Sequence, residues 1–136
     1  MKVTVCRPGT VVVSDLSARA DVVDRPELGT VYTAEKPPKM PPPGWWVTTA
    51  QGKKGFMDGR SGALFPVEGQ SYTVDALFMD VLEAPEANAK QVAAHNRGAV
   101  IKAAALPGCT VPDDWLAVLD AGRVVGFVTR EKLTAK

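Results

Sequence analysis

Residues 115–128 read Trp115-Leu116-Ala117-Val118-Leu119-Asp120-Ala121-Gly122-Arg123-Val124-Val125-Gly126-Phe127-Val128. The stretch holds a tryptophan, an apolar run, a Gly-containing turn and a second run that carries Gly-Phe. Residues 44–57 repeat this order, as Gly44-Trp45-Trp46-Val47-Thr48-Thr49-Ala50-Gln51-Gly52-Lys53-Lys54-Gly55-Phe56-Met57. Two apolar runs joined by a short Gly turn are typical of a β-hairpin. We therefore predict one hairpin in each half of the chain.

Features upstream of the two hairpins indicate an internal duplication. Gly29-Thr30-Val31 and Gly98-Ala99-Val100 each begin an apolar run. Gly29 and Gly98 are 69 residues apart, and so are Trp46 and Trp115. A constant spacing is typical of repeated structural units. We predict a first copy at 1–67 and a second at 72–136, with the boundary at 68–71.

Most other segments predict short strands between turns. Runs rich in Val and Thr at 2–6 and 10–14 flank Arg7-Pro8-Gly9, which favours two strands and a turn. The proline-rich segment 36–44 predicts an extended loop, because proline lacks an N–H donor and fixes φ. Residues 85–95 predict a short helix, since proline lies near the first turn, alanine is frequent and Gly98 follows. The predicted fold class is all-β, with two small barrels in tandem and this one helix.

Composition narrows the function classes. The chain has 136 residues, is 46% hydrophobic and has a net charge of +1, so it can form a core and has no general attraction for nucleic acid. Residues 1–66 sum to +3 and residues 67–136 to −2. This imbalance is either chance or a sign of head-to-tail packing between opposite potentials.

The sequence gives no indication of export or membrane insertion. The N-terminal residues lack the long apolar run of a signal peptide, and no run approaches the ~20 residues of a membrane span. We expect a cytoplasmic protein, or one carried in a virion assembled there.

Catalytic and metal chemistry find little support. His95 is the only histidine, and no Ser or Cys is placed to suggest a His-activated nucleophile. A zinc site would need carboxylates beside His95 and the two cysteines. We predict no enzyme activity, no cofactor and no metal. Cys6 and Cys109 are expected to be free thiols, although a disulfide within or between chains stays open.

Aromatic residues near basic ones mark a candidate partner surface. Adjacent residues on a strand point to opposite faces, so one of Trp45 and Trp46 should lie at the surface or an interface. Exposed tryptophan is enriched at interfaces. The predicted partner-binding set is Trp45, Trp46, Tyr32, Phe56, Lys53, Lys54, Arg60, Trp115 and Phe127.

Two other segments have alternative interpretations. Residues 36–41 contain a Pro-x-x-Pro with flanking lysines, which is either a stiff connection or a ligand for an aromatic groove. Gly52-Lys53-Lys54-Gly55 lacks the full pattern of a phosphate-binding loop, so it predicts a solvated hairpin tip.

Several motifs resemble the bacterial Src-homology-3-like domain family. Leu16-Ser17-Ala18-Arg19, Gly29-Thr30-Val31, Trp45 or Trp46, and Gly55-Phe56-Met57 with Leu64 are similar to its successive elements. In the second half, Gly126-Phe127-Val128 followed by 129–133 is the nearest match. The resemblance implies two such barrels that bind a cell-wall peptide or a proline-rich segment.

A second resemblance leads elsewhere. Residues 116–133 are also similar to the end of a cystathionine-β-synthase-type domain, which implies adenosine-nucleotide binding and would use the predicted helix at 85–95. We favour a non-enzymatic binding or assembly module that associates with a protein partner or with itself. A structural or accessory component of a larger assembly, such as a phage particle, is preferred over the recognition domain and the nucleotide-binding domain.

Overall fold

The computed structural model describes residues 1–17, 19–35 and 44–136, and the fold is all-β, as expected. The first seven strands, β1 to β7, are Lys2–Val5, Val12–Val13, Val22–Asp24, Val31–Ala34, Gly44–Thr48, Lys54–Asp58 and Gly62–Leu64. The next seven, β8 to β14, are Gln70–Val74, Phe78–Leu82, Gln91–Asn96, Val100–Ala104, Trp115–Asp120, Arg123–Thr129 and Leu133–Ala135. Short 3-10 turns lie at Gly59–Ser61, Pro107–Cys109 and Arg130–Lys132.

The strands form two antiparallel sheets of identical topology. The first sheet has the order β3-β2-β6-β5-β4-β1-β7, and the second has β10-β9-β13-β12-β11-β8-β14. Adding seven to each strand number of the first sheet gives the second. We call the residues of β1–β7 the first copy and those of β8–β14 the second copy. They are two small β units in tandem, joined through residues 65–69.

The pairing register aligns the copies residue by residue. Val3 pairs with Tyr32 in the first sheet, and Tyr72 pairs with Ile101 in the second, so both strands are displaced by 69 residues. Gly29 and Gly98 have φ of 88° and 92°, and their N–H groups donate to the carbonyls of Val5 and Val74. The predicted equivalence of these two glycines is confirmed. Only glycine adopts such a φ without strain, which explains the residue type.

A second pair of glycines fixes the later strands. A Cβ on Gly55 would lie 2.9 Å from the Val13 carbonyl oxygen, and one on Gly126 would lie 3.1 Å from that of Leu82. Each would also overlap a valine side chain of the neighbouring strand. In both copies, therefore, the β2–β6 or β9–β13 backbones approach too closely for a side chain.

The predicted equivalence of Trp46 and Trp115 is wrong. Thr33 pairs with Thr48, whereas its counterpart Lys102 pairs with Leu119, so the strands after the long loop are displaced by 71 residues. Trp46 therefore corresponds to Ala117, and Trp115 corresponds to Gly44. Two extra residues between β11 and β12 separate the tryptophans in space although the sequence spacing matches.

The predicted helix at 85–95 is also wrong. Residues 84–89 form a tight loop in which the Glu83 N–H donates to the Lys90 carbonyl at 2.9 Å, and β10 follows. Pairing of β10 with β9 replaces the helical bonds that the alanine-rich composition favours. The structure thereby removes the element on which the nucleotide-binding alternative depended.

Each copy has its own core, and a third core joins them. The third core contains residues of both copies: Cys6, Leu28, Ala63 and Val67 from the first half, and Cys109, Val111, Ala117, Leu119, Val124 and Phe127 from the second. The Thr4 hydroxyl, fully buried, accepts a 3.4 Å hydrogen bond from the Val124 N–H across the junction. The two halves are thus packed through a shared apolar interface.

A disulfide joins Cys6 to Cys109 across this junction, with a Cα–Cα distance of 6.2 Å. The expectation of two free thiols is therefore wrong. The cysteines are 103 residues apart in sequence, and only the packing of the copies brings them together.

Candidate functional site

The outer face of the β5–β6 ribbon is the first part of the candidate site. We use this name for the side of the ribbon that carries Trp46, Thr48 and Phe56. The rings of Trp46 and Phe56 meet edge to face, with centroids 5.5 Å apart and planes at 67°. Val13 on β2 pairs opposite Phe56 and extends the apolar surface.

The equivalent face of the second copy is an interface within the chain. Ala117, Leu119 and Phe127 correspond to Trp46, Thr48 and Phe56 in the pairing register. All three are buried in the core that joins the copies, and Phe127 is only 1% exposed. The first copy therefore presents, at its own ribbon, a surface whose counterpart is already used for protein contact.

An open cleft of about 640 Å³ adjoins the outer face of the first ribbon. We call it the ribbon cleft. Its wall is formed by the loops on both sides of β2, and Phe56 and Asp58 belong to its lining. Leu16 lines the cleft and is 53% exposed, although leucine gains free energy from burial. The combination of an exposed leucine and an aromatic ring is suited to an apolar side chain of a partner.

Charged groups surround this apolar lining. The Ser17 N–H donates to the Asp15 carboxylate at 2.7 Å, and hydrogen bonds from the Ser17 side chain and backbone hold the pKa of Asp15 below its usual range. Arg60 donates to both carboxylate oxygens of Asp58 at 3.3 Å, which is the main reason that the pKa of Asp58 is lowered. Both carboxylates are thus ionised at neutral pH and fit hydrogen-bond donors or cations.

A second cleft, of about 520 Å³, lies on the other side of Arg7 and Pro8. We call it the junction cleft, since Arg7 and Pro8 of the first copy and residues 83–89 of the second line it. Glu83 and Glu86 contribute carboxylates to its lining. The loop at 83–89 is the counterpart of 14–20 in the ribbon cleft, so equivalent loops of the two copies flank one ridge.

The structure brings together only some of the predicted partner-binding residues. Trp46 and Phe56 meet at the outer face, and Lys54 lies beside it, where its Nζ is 2.9 Å from the Glu35 carboxylate. Arg60 is exposed next to the ribbon cleft, where it pairs with Asp58. Lys53 is exposed at the hairpin tip.

Other predicted residues lie inside the molecule. Tyr32 is 4% exposed in the first core and donates its hydroxyl hydrogen bond to Asp24. Phe127 belongs to the core between the copies, and Trp115 packs against that core. Trp45 packs against the first core, and its indole Nε1 donates to the Gly59 carbonyl at 3.4 Å. These four residues offer little or no surface to a partner and support the sheets instead.

Sequence reasoning missed Arg7, Asp15 and the two glutamates as cleft residues. Leu16 had drawn notice only within the resemblance to the barrel family. A polar loop with a single leucine between two valine-rich strands was the available signal for it. The Pro-x-x-Pro segment at 36–41 lies outside the described residues.

Within residues 1–17, 19–35 and 44–136, no group of three or more His, Cys, Asp or Glu side chains is arranged to hold a metal ion. The same residues include no helix with the length and apolar character needed to cross a membrane. Comparison with protein-family models gives no match to this chain, and comparison with curated protein sequences gives none either.

Proposed function

We propose that this protein is a non-enzymatic binding module that joins a larger protein assembly through the outer face of its first ribbon and the ribbon cleft. One observation carries the proposal: the equivalent ribbon face of the second copy is buried against protein within the same chain. The two faces have the same backbone geometry, and the first has the larger aromatic surface. Aromatic residues at the centre of a contact contribute strongly to binding.

The chemistry of the cleft supports binding and gives no support to catalysis. Asp15 and Asp58 have lowered pKa values, so neither supplies a proton at neutral pH. His95 lies on β10, in a different copy. The cleft is suited to a partner that places an apolar group against Leu16 and Phe56 and a donor group near the carboxylates.

A structural or accessory role in an assembly such as a phage particle is the version that we prefer. The disulfide and the shared core hold the copies in one arrangement, which is useful for a component that must present a fixed surface. The alternative is recognition of cell-wall or proline-rich peptides, which the aromatic lining of the ribbon cleft favours.

Chemical-shift mapping on the ¹⁵N-labelled protein tests the proposal. The probes are the protein itself in a concentration series, soluble peptidoglycan fragments, and a synthetic peptide with the sequence of residues 36–44. We expect one probe to shift the Trp46 indole and Leu16 amide resonances. A concentration-dependent shift supports assembly through self-association, whereas a shift with either of the other probes supports recognition.

Two variants provide the matched comparison. Leu16→Glu changes an exposed leucine that lines the cleft, whereas Leu64→Glu changes one that is 60% exposed on β7, away from it. We expect the first to weaken binding at least tenfold and the second to leave it unchanged. Equal effects of the two variants, or shifts confined to other surfaces, would contradict the proposal.

A further inference from the structure

Strand β10 is an open sheet edge of unusual character for this molecule. The described edge strands are β3, β7, β10 and β14, of which the other three have three residues each and β10 has six. Every residue of β10 except His95 is exposed. Its sequence, Gln91-Val92-Ala93-Ala94-His95-Asn96, contains no proline, lysine or carboxylate. Native proteins normally protect such an edge, because its unpaired N–H and C=O groups can pair with another strand.

The first copy shows how the same edge can be closed. Its counterpart β3 ends at Asp24 and is followed by Arg25 and Pro26, which correspond to Ala94 and His95. A charged residue and a proline are the usual devices against edge pairing. The second copy has neither at these positions, so its edge stays available over the full length of β10.

Hydrogen-bond alternation identifies the available groups. The Arg97 N–H donates to the Leu77 carbonyl at 3.2 Å, which directs it toward β9. N–H groups of successive residues in an antiparallel strand point to opposite sides. The N–H groups of Ala94 and Asn96 therefore point to the open edge.

Exposed apolar residues accompany this edge. Leu77 is 75% exposed, and Phe78, which pairs directly opposite Asn96, is 59% exposed. A strand added beside β10 could cover part of this apolar surface with its own side chains. Backbone pairing would supply affinity, and the apolar contact would supply selectivity, as in other cases of strand addition.

Charge defines the partner. Lys90 and Arg97 lie immediately before and after β10, and no described salt bridge involves either. Asp80 pairs opposite Ala94 at the centre of the edge. This arrangement fits an extended segment with carboxylates at its two ends and none in its middle. A second copy of β10 would place Lys90 and Arg97 of the two chains opposite each other in a centred antiparallel pairing, which is unfavourable.

We infer that β10 is a docking edge for an extended segment of a partner protein that has apolar residues in its centre and acidic residues about eight positions apart at its ends. The edge is remote in sequence from the ribbon cleft, so this site is independent of the proposed function. The partner segment adds to the second sheet as an eighth strand.

Titration with two synthetic octapeptides tests the inference. The first is Glu-Thr-Val-Thr-Val-Thr-Val-Glu, and the second has lysine at both ends. We expect the acidic peptide to shift the Ala94 and Asn96 amide resonances, to slow their hydrogen exchange, and to bind at least tenfold more tightly than the lysine peptide. Equal affinities, or shifts that map to the ribbon cleft, would overturn the inference.

Substitutions separate backbone pairing from charge. Ala94→Pro removes an outward N–H and should abolish binding, whereas Arg25→Pro at the equivalent position of the first copy should not. The double variant Lys90→Glu with Arg97→Glu keeps the backbone and should reverse the preference between the peptides; this exchange tests the inference even if Ala94→Pro does not fold. Concentration-dependent dimerisation that Ala94→Pro removes, without peptide binding, would instead assign the edge to a second copy.

Discussion

The outer faces of the two ribbons differ in what covers them. In the second copy, Ala117, Leu119 and Phe127 are buried beneath residues of the first copy. In the first copy, the corresponding Trp46, Thr48 and Phe56 lie beside an open cleft. Duplication of a fold thus gives two equivalent faces, and head-to-tail packing within one chain can cover only one of them.

The opposite sides of the copies differ as well. The first copy contributes Cys6 and Ala63 to the shared core, whereas their counterparts in the second copy are Asp75 and Thr134. Thr134 and Asp75 are hydrogen bonded to each other at 3.3 Å and are exposed. Polar residues at these positions disfavour a third copy in the same arrangement. Head-to-tail contacts of this kind would otherwise continue into rings or filaments.

Removal of the disulfide tests how strongly the copies depend on each other. The double variant Cys6→Ala with Cys109→Ala should lose about 4–5 kcal/mol of unfolding free energy, the loop-entropy value for a ring of this size. Urea unfolding of the variant and of the reduced wild-type protein should agree. An unchanged midpoint would show that the two thiols are not joined in solution.

The equivalent phenylalanines should differ in their contribution to stability. Phe127→Ala removes a ring from the core between the copies and should cost about 3–5 kcal/mol. Phe56→Ala should cost roughly half as much, since its ring faces a cleft where fewer atoms surround it. Chemical denaturation measures both. Equal losses would mean that the outer face of the first ribbon is as fully packed as that of the second.

The paired glycines should instead behave alike. Gly55→Ala and Gly126→Ala each force a Cβ against a backbone carbonyl and a valine, and each should cost about 1–3 kcal/mol. Gly108→Ala is a suitable control, because no atom lies within 4 Å of its added Cβ. Thermal unfolding checks the three variants, and a large difference between the first two would break the structural alignment of the copies.

Alkaline pH should affect the first copy through Tyr32, whose counterpart is Ile101. Burial first, and then the hydrogen bond to Asp24 and its charge, raise the pKa of Tyr32. The folded state therefore favours the neutral phenol, and this stabilisation is present below the ordinary pKa of about 10 and is lost as the pH rises above it. Tyr32→Phe should cost about 1 kcal/mol at neutral pH and flatten the decline in stability above pH ~10. Parallel declines in the two proteins would contradict this role.

Local patterns explain most of what could be predicted. The all-β class followed from short Val- and Thr-rich runs between Gly and Pro turns, and the positions of Gly29 and Gly98 followed from their constant spacing. The helix at 85–95 failed because an alanine-rich segment has a local helical preference that pairing with β9 outweighs. The tryptophans failed as markers, since spacing alone does not reveal where two residues have been inserted.

The candidate site was predicted only in part. Trp46, Phe56, Lys54 and Arg60 were expected near a partner surface, and the structure places them beside the ribbon cleft. Tyr32 and Phe127 were expected there too, yet both are buried. Aromatic character is the same for a core residue and a surface residue, so the sequence could not separate them.

The sequence by itself determined where the chain pairs, turns and approaches another backbone closely, because those properties depend on residues near in sequence and on the absence of a side chain at glycine. The tertiary structure alone decided which ribbon face is covered, which edge stays open and that Cys6 meets Cys109. These depend on how one copy packs against the other, and contacts across 103 residues leave no local pattern to detect.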